Sequence, residues 1–174
     1  MERYLLVGAV ASATAGAISD VRAARIPNWL TYGSVLAGLA IRAIWGWPAF
    51  KGGLIGLLAG GGIFFLFFLL GGMGAGDVKL MAAVGAWAGG SRTLTVLVGA
   101  AIAGGVLAIG YMIFYRRVGT TLRNVAELVR HHATSGIRPH PQLNVREGDA
   151  LRIPYGLAVA IGTLYCFGNA FLGR

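Results

Sequence analysis

Asp20 and Asp77 are the residues of this sequence best suited to chemistry. Each stands where a long uncharged run meets basic residues, Asp20 just before Arg22 and Arg25, and Asp77 just before Lys79. Ionisable groups at membrane depth are costly, and they characteristically line a site or a water-filled cavity. Two carboxylates that meet can share one proton. The ionised member then takes a proton from water as that water attacks an amide, while the protonated member polarises the carbonyl and assists the leaving nitrogen. This is aspartic-protease chemistry, and which carboxylate starts as the base stays open. The competing structural reading is two interfacial acids paired with Arg22, Arg25 or Lys79.

The residues just before Asp77 support a site. Gly71-Gly72-Met73-Gly74-Ala75-Gly76 predicts an irregular backbone ahead of a helix, which glycine tolerates. Such a turn lets an extended substrate strand approach the carboxylate; its bland alternative is a tight connection between helices. A phosphate cradle is excluded, since no strand precedes the glycines and no Lys-Ser/Thr pair follows them. Lys79 is two residues from Asp77, so on a helix the two side chains point apart, and a lipid phosphate is the expected partner of Lys79.

The elements that must position these groups follow from composition. Of 174 residues 56% are hydrophobic and 12% charged, with 29 glycines and four tryptophans, against roughly 25% charged in an ordinary soluble domain. Glycine-rich apolar segments with tryptophan belts suit close-packed membrane helices. Uncharged runs cover residues 4–19, 26–41, 52–76, 93–115 and 153–173, with a shorter one at 80–91. The short run reaches a useful length if its helix starts at Asp77, giving roughly 22 Å at about 1.5 Å rise per residue. The second run extends past Arg42 to Trp45, with the guanidinium snorkelling outward and Trp45 and Trp47 in the interface. The expected fold is therefore all-α: a polytopic membrane protein with six transmembrane helices, forming one domain over residues 1–174. A signal peptide in the first run is the alternative there, although Met1-Glu2-Arg3 is a poor cationic start.

Alternating six crossings puts Arg22, Arg25, Lys79, Arg116, Arg117, Arg123, Arg130, Arg138, Arg146 and Arg152 on one side, and Arg3, Lys51, Arg92 and Arg174 on the other. The crowded side is cytoplasmic by the positive-inside rule, and both termini face outward. Parity also brings Asp20, at the end of the first helix, and Asp77, at the start of the fourth, to one depth on that inner side. The net charge of +9 is directed at anionic lipid and not at nucleic acid, because the cations fill gaps between apolar runs. Cys166 is the single cysteine, so no internal disulfide or paired-cysteine zinc site is expected.

Residues 116–153 form the long polar cytoplasmic loop. Within it Leu122, Val125, Ala126 and Val129 recur at helical spacing opposite Arg123, Glu127 and Arg130, predicting a short amphipathic helix on the inner membrane surface, ended by Gly136 and Pro139. His131, His132 and His140 are read as part of a solvated basic loop, with no metal site. In the third run Gly52, Gly56 and Gly60 form a small-residue stripe for close helix packing.

With these elements in place, the sequence resembles the type IV prepilin peptidases, membrane aspartyl proteases of the GxGD class. Gly74-Ala75-Gly76-Asp77-Val78-Lys79-Leu80 with Gly85 matches that family's GxGDxKL element and trailing glycine. Asp20 followed by Ile26-Pro27-Asn28-Trp29-Leu30-Thr31 resembles its first-aspartate element, and Ile153-Pro154-Tyr155-Gly156 the start of its last helix. The resemblance implies that Asp20 and Asp77 are the catalytic pair, that Gly74, Gly76, Lys79, Pro27, Asn28, Pro154, Tyr155 and Gly156 support the site or bind substrate, and that no cofactor is needed. The implied substrate is a prepilin or pseudopilin whose short basic leader stays cytoplasmic and is cut after a glycine, just before an apolar helix. Larger bacterial members carry an inserted domain with paired cysteines and also N-methylate the new terminus. The chain shows no such insert and is most similar to the small branch serving Flp/Tad-type pili; archaeal preflagellin peptidases are similar too. Glu127, Glu147 and Asp149, or anionic lipids, are the candidates for meeting a basic leader. A proton-coupled transporter and a structural subunit of a secretion apparatus are the competing functions.

Overall fold

A computed structural model of the chain describes residues 2–136, 143 and 153–172. All regular structure among them is helical: α1 (Glu2–Ala23), α2 (Asn28–Ile44), α3 (Trp47–Leu69), α4 (Ala75–Ala88), α5 (Gly90–Phe114), α6 (Val118–Ser135) and α7 (Tyr155–Leu172). The sequence expectations for Arg138, Pro139, His140, Arg146, Glu147, Asp149, Arg152 and Arg174 fall outside the described residues.

Helix ends follow local chemistry. Ala24, with φ 48°, stops α1, and Pro27, held extended at ψ 142°, precedes α2. Pro48 sits in the first turn of α3, where its missing N–H costs nothing. Gly89, at φ 81°, is the one residue between α4 and α5, a backbone conformation that favours glycine.

α4 is the centre of the bundle. Leu80, Met81, Val84 and Ala88 are buried against Leu6, Ala9, Ala13 and Ala17 of α1, Val96 and Ala100 of α5, and Val159 of α7. A helix apolar on all sides belongs in such an interior. The expected glycine stripe of α3 meets α4: a Cβ on Gly56 would collide with the Gly85 carbonyl, and one on Gly85 with Gly56. The two backbones touch because neither residue has a side chain.

Among the described residues four helices are long and apolar enough to cross a membrane: Tyr4–Ala23, Trp47–Leu69, Gly90–Phe114 and Tyr155–Leu172. α2, with 17 residues, and α4, with 14, are shorter than the about 20 that span the hydrocarbon core. For α4 the shortfall has a physical reason, since its neighbours rather than lipid cover most of its surface. The protein is thus a membrane-embedded helical bundle.

Two expectations are corrected here. α4 starts at Ala75, two residues before Asp77, because Gly74 is the cap and Asp77 is the third residue of the helix. Arg42 does not snorkel: it is 2% exposed, and its Nη1 and Nη2 donate to the carbonyls of Ala49 at 3.0 Å and Trp87 at 2.9 Å. The start of α3 and the end of α4 offer it carbonyls, and Gly52 and Gly89 leave it space. The amphipathic helix forms as α6 and ends at Gly136 with φ 67°.

Candidate active site

The last turn of α1 and the first turn of α4 open on one cleft of about 1190 Å³. Asp20, from the first, and Asp77, from the second, both line it, so the two helices run in opposite senses through the bundle as parity requires. Both carboxylates are half-buried, and they are close enough to interact electrostatically.

Each is held by a backbone N–H. Gly156 donates to Asp20 Oδ2 at 2.9 Å, and Gly74 donates to Asp77 Oδ2 at 3.3 Å. Glycine is needed for close approach in both cases, since a Cβ would lie 3.0 Å from Asp20 Oδ2 at position 156 and 3.1 Å from Asp77 Oδ2 at position 74. Gly76 faces Ile26, whose Cβ would stand 3.3 Å from an added Cβ. That contact presses the loop after α1 onto the start of α4. The Ser19 hydroxyl of α1 donates to the Arg25 carbonyl of that loop at 2.7 Å.

Among the described residues neither carboxylate is ion-paired. The cation nearest in sequence to Asp77 has another partner: Lys79 Nζ donates to Asn28 Oδ1 at 2.9 Å and stands 5.3 Å from the centroid of the Tyr32 ring. These protein groups of α2 reach Lys79 because the start of α2 packs beside that of α4. Pro27, Asn28, Lys79, Pro154 and Tyr155 line the cleft with Gly74 and Gly76. Gly156 lies behind it, fully packed on Ala17. His131, His132 and the exposed Glu127 are on α6 and do not line the cleft. Among the described residues no His, Cys, Asp or Glu cluster has the make-up of a metal site.

The far wall was not foreseen from the sequence. It comes from α5, through Gly104, Ala108 and Tyr111, with Phe68 and Met73 beside it. The spacing 104, 108, 111 marks one helix face, a signal that the uniform hydropathy of this segment conceals.

The description of the type IV leader peptidase family matches residues 7–109, more than half of the chain and a span that holds both aspartates. The chain belongs to the type IV leader peptidase family. No curated protein and no solved structure matches it. As a member of the leader peptidase family it is a membrane-embedded peptidase, with a prepilin in the general sense as its substrate. Tyr155 and Gly156 lie beyond the matched span, so their place in the site rests on the cleft itself.

Proposed function

We propose that this leader peptidase is an aspartic endopeptidase of the cytoplasmic membrane, which removes the short basic leader from prepilin-like or pseudopilin precursors. Asp20 and Asp77 are its catalytic pair. The observation that carries this reading is that two carboxylates from different helices line one cleft, each held by a backbone N–H and, among the described residues, neither paired with a cation. Two like charges in one half-buried site favour sharing a proton, and one ionised and one protonated carboxyl is the state that water attack on an amide requires. In the turn at residues 71–74 only Met73 carries a side chain, and it lines the cleft beside Gly72 and Gly74, an approach to Asp77 that suits a substrate in extended form.

The site faces the cytoplasm, on the side where Arg22, Arg25 and Lys79 lie, and both termini face away from it. α6 lies on the same membrane surface. Its Leu122, Val125 and Val129 are exposed, and Arg123 and Arg130 flank them, a pattern suited to anionic lipid. A transporter with paired aspartates is a weaker reading, since membership of a peptidase family does not call for solute flux. The branch serving Flp/Tad-type pili remains the preferred assignment on the sequence elements already given.

The test is co-expression with a candidate prepilin, with leader removal followed as a mobility shift of the pilin. Processing by the wild type, and its loss in Asp20→Asn and Asp77→Asn proteins that still insert, supports the proposal. Processing retained in either variant contradicts it.

A further inference from the structure

We infer that the Tyr155 hydroxyl is a third catalytic group, donating a hydrogen bond to the carbonyl oxygen of the scissile amide. The inference rests on the aspartic mechanism proposed above and extends it to a residue outside the matched family span.

Tyr155 is the first residue of α7, directly before the Gly156 that holds Asp20. Its side chain reaches the other half of the site: it lines the cleft shared by Asp20 and Asp77, and it lies within electrostatic reach of Asp77. The start of α7 therefore holds Asp20 through a backbone N–H and places the Tyr155 side chain in the cleft that Asp77 lines.

The ring is fixed in place. Phe64 meets it edge-on, with centroids 5.7 Å apart and planes at 70°. On α5, Gly104 makes room for it, since a Cβ there would stand 2.7 Å from Tyr155 Cε2 and 2.9 Å from the hydroxyl oxygen. A tyrosine serving only as packing normally finds a hydrogen-bond partner for its hydroxyl when buried. This hydroxyl has none among the described residues, and it is not sealed in the interior. A fixed donor without an acceptor among the described residues, at the edge of a cleft with two carboxylates, is the arrangement expected for a group whose acceptor arrives with the substrate.

In the addition step the O–H bond of water breaks toward the ionised carboxylate. The water oxygen bonds to the amide carbon, and the carbonyl electron pair moves onto the carbonyl oxygen. Tyr155 donates to that oxygen as its charge grows and keeps its own proton. The carbonyl then re-forms, the C–N bond breaks, and the nitrogen leaves with the proton of the other carboxyl. The two aspartates have then exchanged protonation states.

The experiment uses the purified full-length chain in lipid vesicles and a synthetic precursor peptide with a basic leader, a glycine and an apolar segment. Tyr155→Phe keeps the ring between Phe64 and Gly104 and removes the donor. The expected result is a fall in kcat of about 10²-fold, the size seen when one such donor is lost, with KM and melting temperature unchanged. An unchanged kcat overturns the inference, as does a loss confined to KM or one that follows a lowered melting temperature. If Tyr155→Phe does not insert, 3-fluorotyrosine at position 155 takes its place. Its more acidic hydroxyl is a stronger donor and changes kcat, whereas an unchanged kcat overturns the inference. Asp20→Asn and Asp77→Asn run alongside. If both are inactive while Tyr155→Phe matches wild type, this inference alone fails; if the wild type leaves the peptide intact, the aspartic mechanism falls and this inference with it.

Discussion

Gly156 donates its backbone N–H to Asp20 Oδ2 at 2.9 Å, tying the first turn of α7 to the last turn of α1 across 136 positions of sequence. The contact has no room for a side chain, because a Cβ would also lie 3.3 Å from Ala17 Cα. Gly156→Ala is therefore expected to push α7 away from Asp20. Overpacking of this kind costs about 1–3 kcal/mol, to be read as a lower melting temperature. A cleavage rate reduced well beyond that instability, measured below the melting transition, is the expected functional outcome.

Gly74→Ala separates activity from stability. The backbone at Gly74, φ −80° and ψ 148°, is one that alanine adopts freely, so the fold is expected to tolerate it. The new methyl would stand 3.1 Å from Asp77 Oδ2, so cleavage is expected to fall. Gly62→Ala is the matched control: nothing lies within 4 Å of its added Cβ, and both melting temperature and cleavage should be unchanged or slightly improved.

The Lys79–Asn28 bond predicts a coupling. Lys79→Met and Asn28→Ala should each cost about 0.5–1.5 kcal/mol. The double variant should cost less than their sum, since both remove one interaction. Thermal melting of the four proteins in detergent measures this. Full additivity would mean that the two side chains act independently.

Arg42 carries the fourth prediction. Arg42→Met removes the guanidinium donor from the carbonyls of Ala49 and Trp87, and leaving a buried polar group unsatisfied costs about 1–3 kcal/mol. Melting temperature should drop sharply, and Arg42→Lys should restore little of it, because one ammonium lacks the fork that reaches two carbonyls.

The aspartates were legible in the sequence because their relation depends on counting. Six uncharged runs and an alternating path put Asp20 and Asp77 at one depth without any knowledge of packing. The glycines of the turn at residues 71–74 were legible for the same local reason, since few other residues form such a connection, whereas Ala75 and Gly76, expected in the irregular segment, are already helical. Arg42 was misread, and the Asn28 partner of Lys79 was missed, because these partners lie across tertiary contacts. Hydropathy sends a cation at the end of an apolar run to the lipid headgroups. It cannot register that Gly52 and Gly89 leave space for Arg42, or that Asn28 stands beside Lys79 from 51 positions away. The α5 wall of the cleft was missed because Gly104, Ala108 and Tyr111 lie in an uncharged run with glycine and alanine on several faces, so no one face stands out.

The central claim is that Asp20 and Asp77 act on one water as a unit, and its most direct test is the single-turnover cleavage rate of purified Asp20→Asn, Asp77→Asn and the double variant. Residues that work as a unit are grossly non-additive. The account predicts that each single variant is as inactive as the double. A single variant that keeps a substantial part of the wild-type rate, or two losses that simply multiply, would contradict it.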